Sequence, residues 1–560
     1  MKKIWKIREP DLGKSVRLSK SLGISEITAQ ILLNRGLSDT ESANAFLACH
    51  ISSSHDPNLL KDMEKAVRRI KDAVSGGEKM LVYGDYDVDG ITGVTLLYSA
   101  LRGLGGNAEH YIPNRIEEGY GLNLNAIRSA HKRRVSLIIT VDCGITSFKE
   151  VEYAKGLGID IIVTDHHEIS KEGLPDAYSV INPLRDDCPY PFKHLAGVGV
   201  AYKLACLLLE GTHLLAEDFL DLVALGTVAD IVPQKDENRI LTRHGLWRLN
   251  RTHRAGLKAL IEASGLNGKD ISSGHIGFIL GPRINAMGRI GSPEIALKLL
   301  LTDDDIEAAS LAKVLNVENR SRQRIEAAIL NEALSKVEKE VNFKEHRVIV
   351  LESHQWHPGV IGIVASRIAE RYYRPAILIS TQGKAGKGSG RSIADFHLFD
   401  ALLKCKDHLL GFGGHEGACG ITIEKDNIPA FRRAINEVAS ETMKEGDMVP
   451  KLNIDMDVSL DSLKENVIGE LESLAPFGPA NPRPVLASSG VIVKDIPRLI
   501  GKNGFKLHVT DNNITCEAVS FGRPDIDLPE KGSKVDLAYI PSMNTWQGIT
   551  SLQLELKDIR

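Results

Sequence analysis

Residues 80–93 read MLVYGDYDVDGITG, a short apolar run followed by aspartates at positions 85, 87 and 89. An aliphatic run that ends in glycine is typical of a buried strand. The chain then alternates short apolar runs with longer amphipathic ones. We predict strands at 80–83, 137–141 and 159–164 and helices at 94–104 and 148–156. This alternation predicts an α/β fold with a parallel sheet and right-handed crossovers.

The length of 560 residues and the hydrophobic content of 43% indicate several folded domains with real cores. Residues 303–341 lack glycine and proline and carry apolar residues at helical spacing, which predicts a long helix. In the second α/β region we predict strands at 347–351 and 376–380, a helix at 360–373 and glycine-rich loops at 383–390 and 411–420. After residue 450, short alternating runs separated by turn residues favour a small β-barrel. We predict a helical cap at 1–75, the parallel-sheet domain at 76–300, a long connecting helix at 301–342, a second α/β domain at 343–446 and the barrel at 447–560.

Composition excludes several classes of protein. Lys plus Arg number 69 and Asp plus Glu 73, so no overall basic excess indicates a nucleic-acid partner. The apolar segments are too short for a secretory signal or a membrane span, and we expect a cytoplasmic protein. Seven cysteines without a Cys-x-x-Cys pair favour reduced thiols over disulfides or a structural zinc site.

Acidic residues follow four apolar runs, which we interpret as strands. These acids are Asp85, Asp87 and Asp89 after the first run, Asp142 after the second, Asp165 with His166 and His167 after the third, and Asp230 after the fourth. The carboxyl ends of parallel strands share one edge of a sheet, where ligands bind. Clustered carboxylates repel one another unless a cation compensates them.

Many carboxylates with few imidazoles and no thiolate suit Mn²⁺ or Mg²⁺. Two such ions held by a shared aspartate would serve phosphoester hydrolysis. Alternatives exist for each motif alone: a helix cap for Asp142 or Asp230, and a calcium loop for residues 85–90, which lack the distal glutamate of that loop. Ser389 does not lie in the Gly-x-Ser-x-Gly motif that carries the nucleophile of a serine hydrolase, so we interpret it as a phosphate contact. The four acidic segments together favour the metal centre.

The motifs YGDYDVDGITG (83–93), VDCG (141–144), TDHHE (164–168) and GTVADIVP (226–233) occur in this order. They resemble the four motifs of the DHH phosphoesterase superfamily, and within it the single-strand-specific DNA exonucleases. The likeness covers nearly the whole chain. It includes IPNRIEEGYGL (112–122), GPRINAMGR (281–289), WHPGVIGIVASR (356–367), GSGRS (388–392) and GFGGHEGACG (411–420). It implies a DHH domain, a DHH-associated domain and a C-terminal OB-like nucleic-acid-binding domain.

The resemblance also implies roles for individual residues. The ligands of two Mn²⁺ or Mg²⁺ ions would be Asp87, Asp89, Asp142, His166 and Asp230, with Asp142 as the bridge and Asp85 as a ligand or a neighbouring acceptor. His167 would face the scissile phosphate, and Asp165 would orient an imidazole. The phosphate or nucleic-acid contacts would be Arg115, Arg283, Arg289, Ser389, Arg391, Gly413, Gly414 and His415.

By the same resemblance, the chain would be a 5′-to-3′ exonuclease that releases 5′-mononucleotides from single-stranded DNA in repair and recombination. A single-strand-binding protein and a helicase would be its partners, and we favour a monomer. In the barrel, the candidates for base stacking are Phe505, Phe521, Tyr539 and Trp546, with packing in the core as the favoured alternative for each. The candidates for phosphate contact are Arg498, Lys502, Lys506 and Arg523.

Two alternatives remain: a small-molecule phosphodiesterase and a catalytically silent scaffold. The β-rich tail argues against the first, and the complete set of acids argues against the second.

Overall fold

The computed structural model describes residues 3–115, 118–119, 121–501, 504–521, 528–546 and 548–560, without the side chains of Trp546 and Ile549. The chain forms two compact units. The large unit contains Lys6–Asn316 and Asn453–Arg560, and the small unit contains Val317–Leu452 with the residues up to Trp5. Among the described helices, none combines the length and apolar character that crossing a bilayer requires. All seven cysteines are free thiols.

The N-terminal region is mainly helical, as predicted. It contains β1 (Ile4–Ile7), α1 (Leu12–Leu22), α2 (Glu26–Asn34), α3 (Thr40–Ala48) and α4 (Met63–Ser75). The side chains of Asp11, Ser25 and Asp39 accept hydrogen bonds from backbone N–H groups in the first turns of α1, α2 and α3, and such caps fix where helices begin. The strand β1 was not predicted.

A parallel sheet follows, as predicted, and it has five strands, of which β3 and β6 were not predicted. Its elements are β2 (Lys79–Gly84), α5 (Val88–Gly103), β3 (Asn107–Tyr111), α6 (Leu124–Lys132), β4 (Leu137–Val141), α7 (Phe148–Gly156), β5 (Asp160–Thr164), β6 (Ser179–Ile181) and α8 (Gly197–Leu209). The strand order is β3-β2-β4-β5-β6. Gly84 pairs with Val141, and Val141 pairs with Thr164. The acids that follow these three residues therefore leave the sheet side by side.

A helical layer completes this part of the large unit. It contains α9 (Leu220–Ala229), α10 (Asp236–Leu249), α11 (Ala255–Ala263), α12 (Ser273–His275), a π-helical turn (Ile276–Leu280), α13 (Gly281–Ile290) and α14 (Pro293–Leu301). The prediction that a strand precedes Asp230 was wrong, because that run is helix α9. Residues 220–227 are buried on every side, and periodicity cannot distinguish a fully buried helix from a buried strand.

The long helix is present as α15 (Asp305–Glu340). It was predicted at 303–341, within two residues of its observed ends. The boundary between the two units falls inside it, after Asn316. The domain boundaries proposed from the sequence remain a prediction.

The small unit contains a mixed sheet. Its elements are β7 (Ile349–Ser353), α16 (Ile361–Tyr372), β8 (Ala376–Ser380), β9 (Gly386–Arg391), α17 (Leu398–Lys404), β10 (Gly411–Gly414), β11 (Ala418–Ile423) and α18 (Ile428–Thr442). Residues 383–390 and 411–420, interpreted from the sequence as loops, contribute strands β9, β10 and β11 instead. A Cβ atom at Gly388 would lie 2.5 Å from Ile421 Cγ1. Glycine in these strands therefore permits close packing.

The C-terminal part of the large unit is a closed barrel. Its region contains β12 (Lys451–Ile454), β13 (Met456–Asp457), α19 (Glu465–Ser473), β14 (Leu486–Val493), β15 (Arg498–Ile500), β16 (Gly504–Thr510), β17 (Thr515–Ser520), β18 (Lys534–Trp546) and β19 (Ile549–Ile559). Because β14 pairs with both β16 and β18, the strands β14, β18, β19, β17 and β16 form a ring. Strand β12 pairs with β1.

The predicted helical cap shares its core with this barrel. Leu18 and Ile31 from the first helices belong to one apolar cluster with Leu471 and Tyr539. The two ends of the chain therefore form one packed structure within the large unit. A second, larger cluster lies between the parallel sheet and helices α4, α5, α8, α9, α10, α11, α13 and α14, and a separate cluster joins the sheet to α6 and α7.

Candidate metal centre

Acidic residues from distant parts of the chain surround the imidazole of His166. Its Nε2 atom lies 3.1 Å from Asp142 Oδ1, 3.5 Å from Asp230 Oδ2 and 3.7 Å from Asp89 Oδ2. Strand register explains the position of Asp142, and the C-terminal end of α9 delivers Asp230. The structure thus brings together four of the predicted metal ligands.

Three groups of side chains have the spacing that a metal ion requires. The groups are Asp85 with Asp87 and Asp142, Asp89 with His166 and Asp230, and Asp142 with His166 and His167. Within each group, the ligand atoms lie within 4.8 Å of one another. Asp142 and His166 each belong to two groups. This arrangement suits two neighbouring ions that have ligands in common.

Backbone N–H groups orient two of these carboxylates. Asp87 Oδ1 accepts hydrogen bonds from the N–H groups of Asp89 (2.9 Å) and Gly90 (3.2 Å) at the start of α5. Asp89 accepts from Gly197 (2.6 Å) and Val198 (2.8 Å) at the start of α8. Asp87 is therefore a helix cap as well as a potential ligand. The donors hold each carboxylate in place while leaving it further lone pairs for a cation.

Burial and mutual repulsion disfavour the ionised form of these carboxylates unless a cation is present. Burial, followed by nearby carboxylates, raises the pKa of Asp85, Asp142 and Asp230 well above the usual range, and raises the pKa of Asp89 to about 7. Among the described residues, Asp85 Oδ1 and Asp230 Oδ2 are buried and have no hydrogen-bond donor. Buried oxygens without donors are costly unless a cation satisfies them. The donor set therefore fits Mn²⁺ or Mg²⁺.

Asp165 organises both histidines and is fully buried. Its Oδ1 accepts from the backbone of His166 at 2.8 Å and lies 2.8 Å from His167 Nδ1, while Oδ2 accepts from the N–H of Ile145 at 2.9 Å. Although burial opposes ionisation, the contact with His167 holds the pKa of Asp165 below its usual value. The same contact outweighs burial at His167 and raises its pKa to about 9. For His166, burial lowers the pKa to about 4.

A cavity of about 380 Å³ opens above the acids. Arg115 and Arg289 line it together with Asp85, Asp142 and His167. The Arg115 guanidinium also lies 5.1 Å from the centre of the Tyr86 ring. The cavity thus combines an acidic floor with cationic walls, an arrangement that suits metal ions and a phosphate together.

Arg283 is not among the residues that line this cavity. Its guanidinium donates to the Ile279 carbonyl at 2.6 Å and to Asn316 Oδ1 at 3.2 Å. These contacts connect α13 to the preceding turn and to α15. The phosphate contact of Arg283 therefore stays a prediction.

Sequence reasoning missed other residues of the cavity wall, including Ile231, Asn285 and Gly288. Asn285 Oδ1 accepts from the N–H of Val88 at 3.2 Å and so fixes α13 against the start of α5. A Cβ atom at Gly288 would lie 2.5 Å from the Tyr86 carbonyl oxygen. The sequence marks the segment 281–289 as a motif, but the prediction assigned a role only to its arginines.

The remaining predicted phosphate contacts lie together in the small unit. Gly420 of β11 pairs with Gly413 on one side and with Ser389 on the other. Arg391 Nη1 donates to Ser389 Oγ at 3.2 Å. Gly413, Gly414 and His415 are exposed. Side chains are therefore small across this strip of the sheet, which leaves the backbone and the serine accessible to a ligand.

The barrel aromatics differ in exposure. Phe505 and Tyr539 are core residues at 2% and 0% exposure, which matches core packing, the favoured alternative, and not base stacking. Phe521 is 64% exposed. Lys506 forms an ion pair with Glu517 at 3.0 Å. Lys502, Arg523 and the side chain of Trp546 lie outside the described part of the chain.

The sequence matches three domain families. They are the DHH family N-terminal domain at residues 79–227, the DHHA1 domain at 345–441 and the RecJ OB domain at 454–558. The chain is 40% identical over 559 residues to the single-stranded-DNA-specific exonuclease RecJ of Bacillus subtilis, covering 99% of this chain and 70% of that protein. It is 37% identical over 527 residues to RecJ of Escherichia coli, covering 89% and 90%.

Solved structures show the same fold. RecJ from Thermus thermophilus in complex with Mn²⁺ superposes with a TM-score of 0.85 at 31% identity, covering 100% of this chain and 79% of that one. The complex of RecJ from the same organism with Mg²⁺ gives a TM-score of 0.79 at 30% identity, covering 100% and 78%. The α/β architecture with a C-terminal OB domain is therefore confirmed.

Proposed function

The chain belongs to the RecJ family of metal-dependent, single-stranded-DNA-specific exonucleases. From this premise we propose a role in the reaction for each residue of the site. The reaction is hydrolysis of phosphodiester bonds from the 5′ end, with release of 5′-mononucleotides, in DNA repair and recombination. The observation that carries the proposal is the cavity in which the acids, His167, Arg115 and Arg289 meet.

Two Mn²⁺ or Mg²⁺ ions would be held by Asp87, Asp89, Asp142, His166 and Asp230, together with Asp85. Asp142 would serve both ions, which its membership of two ligand groups supports. We assign Asp85 as a ligand because its buried Oδ1 has no donor among the described residues. Two bound ions supply an activated water at neutral pH and neutralise charge on the leaving 3′ oxygen.

His167 contacts the scissile phosphate. Asp165 lies 2.8 Å from its Nδ1, so Nε2 is the nitrogen that a phosphate oxygen in the cavity reaches. The carboxylate fixes the orientation of the ring. Asp165 is thus a positioning residue, and His167 is a catalytic residue because it touches the substrate.

Arg115 and Arg289 select the 5′ end. Guanidinium groups bind phosphate oxygens in pairs, and both arginines line the cavity above the acids. A terminal phosphate held there places the first phosphodiester bond over the ligand set. In the small unit, Ser389, Arg391, Gly413, Gly414 and His415 contact the phosphate backbone through the strip of small residues.

The OB domain binds the single strand. Partners such as a single-strand-binding protein and a helicase would present the strand, the location would be cytoplasmic, and the active form would be a monomer. The family membership supports these assignments. They are tested by co-purification and by sedimentation of the full chain.

The central experiment is digestion of a single strand of about 60 nucleotides in Mn²⁺, labelled at either end, with and without a 5′ phosphate. We expect labelled mononucleotides to be released early from the 5′-labelled strand and late from the 3′-labelled strand. Asp142→Ala should bind the strand and release nothing. Early release of the 3′ label, or equal digestion of a blunt duplex, would contradict the proposal.

A further inference from the structure

Phe278 is the most exposed large apolar side chain among the described residues, at 86%. It lies in the π-helical turn Ile276–Leu280, which leads directly into α13. Leaving a phenyl ring in water forgoes the free energy of burying it. Single-turn π-helices are frequent at functional sites. The position of this ring therefore favours contact with a ligand.

The helical stretch from Ser273 to Ile290 has one buried and one open side. Ile276, Leu280, Ile284 and Met287 are at most 1% exposed. Phe278 lies on the open side, as do Asn285 and Arg289, which are partly exposed and line the metal cavity. A Cβ atom added at the neighbouring Gly277 would meet no atom within 4 Å. Helical spacing therefore places Phe278 on the same side of this stretch as two residues of the cavity wall.

We propose that Phe278 is a stacking platform for a base of the single strand that extends from the metal centre along α13. The inference rests on the proposed function and adds a specificity-determining residue to it. Base stacking on aromatic rings tolerates any sequence and contributes strongly to single-strand binding. Seven residues separate Phe278 from Asn285, about 10 Å of helix at ~1.5 Å per residue. This is about three nucleotides at a stacked spacing of ~3.4 Å.

The test compares Phe278→Ala and Phe278→Trp with wild-type protein. The control is Ile306→Ala, because Ile306 is 84% exposed and belongs to α15 rather than to the cavity wall. Affinity for 5′-phosphorylated oligothymidylates of two to twelve nucleotides is measured in EDTA. Hydrolysis of the p-nitrophenyl ester of thymidine 5′-phosphate in Mn²⁺ reports on the metal centre alone.

For strands longer than about four nucleotides, Phe278→Ala should lose about 5- to 150-fold in affinity, the range for one base–aromatic stack. Dinucleotide binding and ester hydrolysis should be unchanged, Phe278→Trp should restore binding, and Ile306→Ala should match wild type. A 2-aminopurine base placed about three nucleotides from the 5′ end should be quenched in wild type and not in Phe278→Ala.

Equal binding of long strands by Phe278→Ala and wild type would overturn the inference and leave a protein contact as the role of the ring. An equal loss at all lengths would also overturn it, because that would indicate a disturbed metal centre. The proposed function fails separately, when wild-type protein binds the strand with the expected quenching but releases no nucleotide in Mn²⁺.

Discussion

Asp142 is the residue whose replacement separates function from stability most clearly. It is 2% exposed, lies 3.1 Å from His166 Nε2 and is surrounded by carboxylates. Asp142→Asn should lower kcat by at least about 100-fold, comparable to the loss of one preorganised electrostatic contact. In EDTA at pH 8, the variant should unfold about 2 °C higher than wild type, because one buried like charge is removed.

Asp176→Asn is the matched control for Asp142→Asn. Asp176 is 84% exposed and is paired with Lys155 at the surface, so both the activity and the melting temperature should remain close to wild type. The measurements are Mn²⁺-supported digestion of end-labelled strands and thermal unfolding followed by circular dichroism. A melting temperature of Asp142→Asn below that of wild type in EDTA would show that the carboxylate contributes to folding by itself.

The pKa of Asp89 predicts how pH affects the metal-free protein. Burial raises this pKa from 3.8 to about 7, so the folded state holds a proton that the unfolded state has already lost. Stability without metal should therefore fall as the pH rises from about 4 through about 7. Added Mn²⁺ should raise the melting temperature more at pH 8 than at pH 5.5, because the ion replaces the proton. Equal stabilisation at both pH values would contradict this linkage.

The first residues of the helices determine how closely the acidic side chains can approach one another. A Cβ atom at Gly197, the first residue of α8, would lie 2.6 Å from Asp142 Cβ. Gly197→Ala should therefore displace Asp142 and weaken Mn²⁺ binding about 10- to 100-fold, the range for disturbed ligand support. Titration calorimetry with Mn²⁺ measures the change.

Gly469→Ala is the comparison within another helix. Gly469 is exposed in α19, and an added Cβ would meet no atom within 4 Å. This variant should be more stable by about 0.5–1 kcal/mol, because alanine is the better helix former. Its Mn²⁺ affinity should match wild type. If Gly197→Ala also keeps wild-type affinity, α8 does not set the position of Asp142.

Elements whose ends are marked by polar residues, charged residues or glycine were predictable from the sequence, whereas helix α9 and the glycine-rich strands were not. Strands β4 and β8 and helix α7 have the predicted bounds, because glycine, polar residues or charged residues interrupt the pattern at their ends. Helix α9 has no polar face until Asp230, so its pattern matched a strand equally well. The glycine strands β9 and β10 lack the β-branched residues that identify strands.

The candidate site was predictable to the extent that it depends on strand register. Asp85, Asp142 and Asp165 each follow the last residue of a parallel strand, and register brings them together. Asn285 and Ile231 come from helices and connections whose position depends on tertiary packing alone. No local pattern distinguishes them from other polar or apolar residues, and they were missed for that reason.

At the scale of the molecule, Arg239 holds together three parts of the large unit. It is 2% exposed on α10 and donates to the carbonyls of Phe46 at 2.6 Å and Ala475 at 2.9 Å. Its guanidinium lies 3.7 Å from the centre of the Phe46 ring. Arg239→Met should destabilise the protein by about 3 kcal/mol in urea unfolding, because buried carbonyls lose their donors.

Arg68→Met tests whether the loss at Arg239 is specific. Arg68 is 69% exposed and pairs with Glu64 one turn away, so its replacement should change the stability by less than about 0.5 kcal/mol. A loss of under about 1 kcal/mol for Arg239→Met would show that water replaces the guanidinium and that the three parts are connected by apolar packing.

The shared core of the first helices and the final barrel has a consequence for biosynthesis. Leu18, Ile31 and their neighbours pack against residues that begin at Leu460 and continue to Leu556. A ribosome releases the N-terminal helices hundreds of codons before their partners exist, and exposed apolar surface on a nascent chain promotes aggregation. Premature termination of translation should therefore leave an aggregation-prone fragment. Newly made protein should depend on chaperones until the last strand leaves the ribosome.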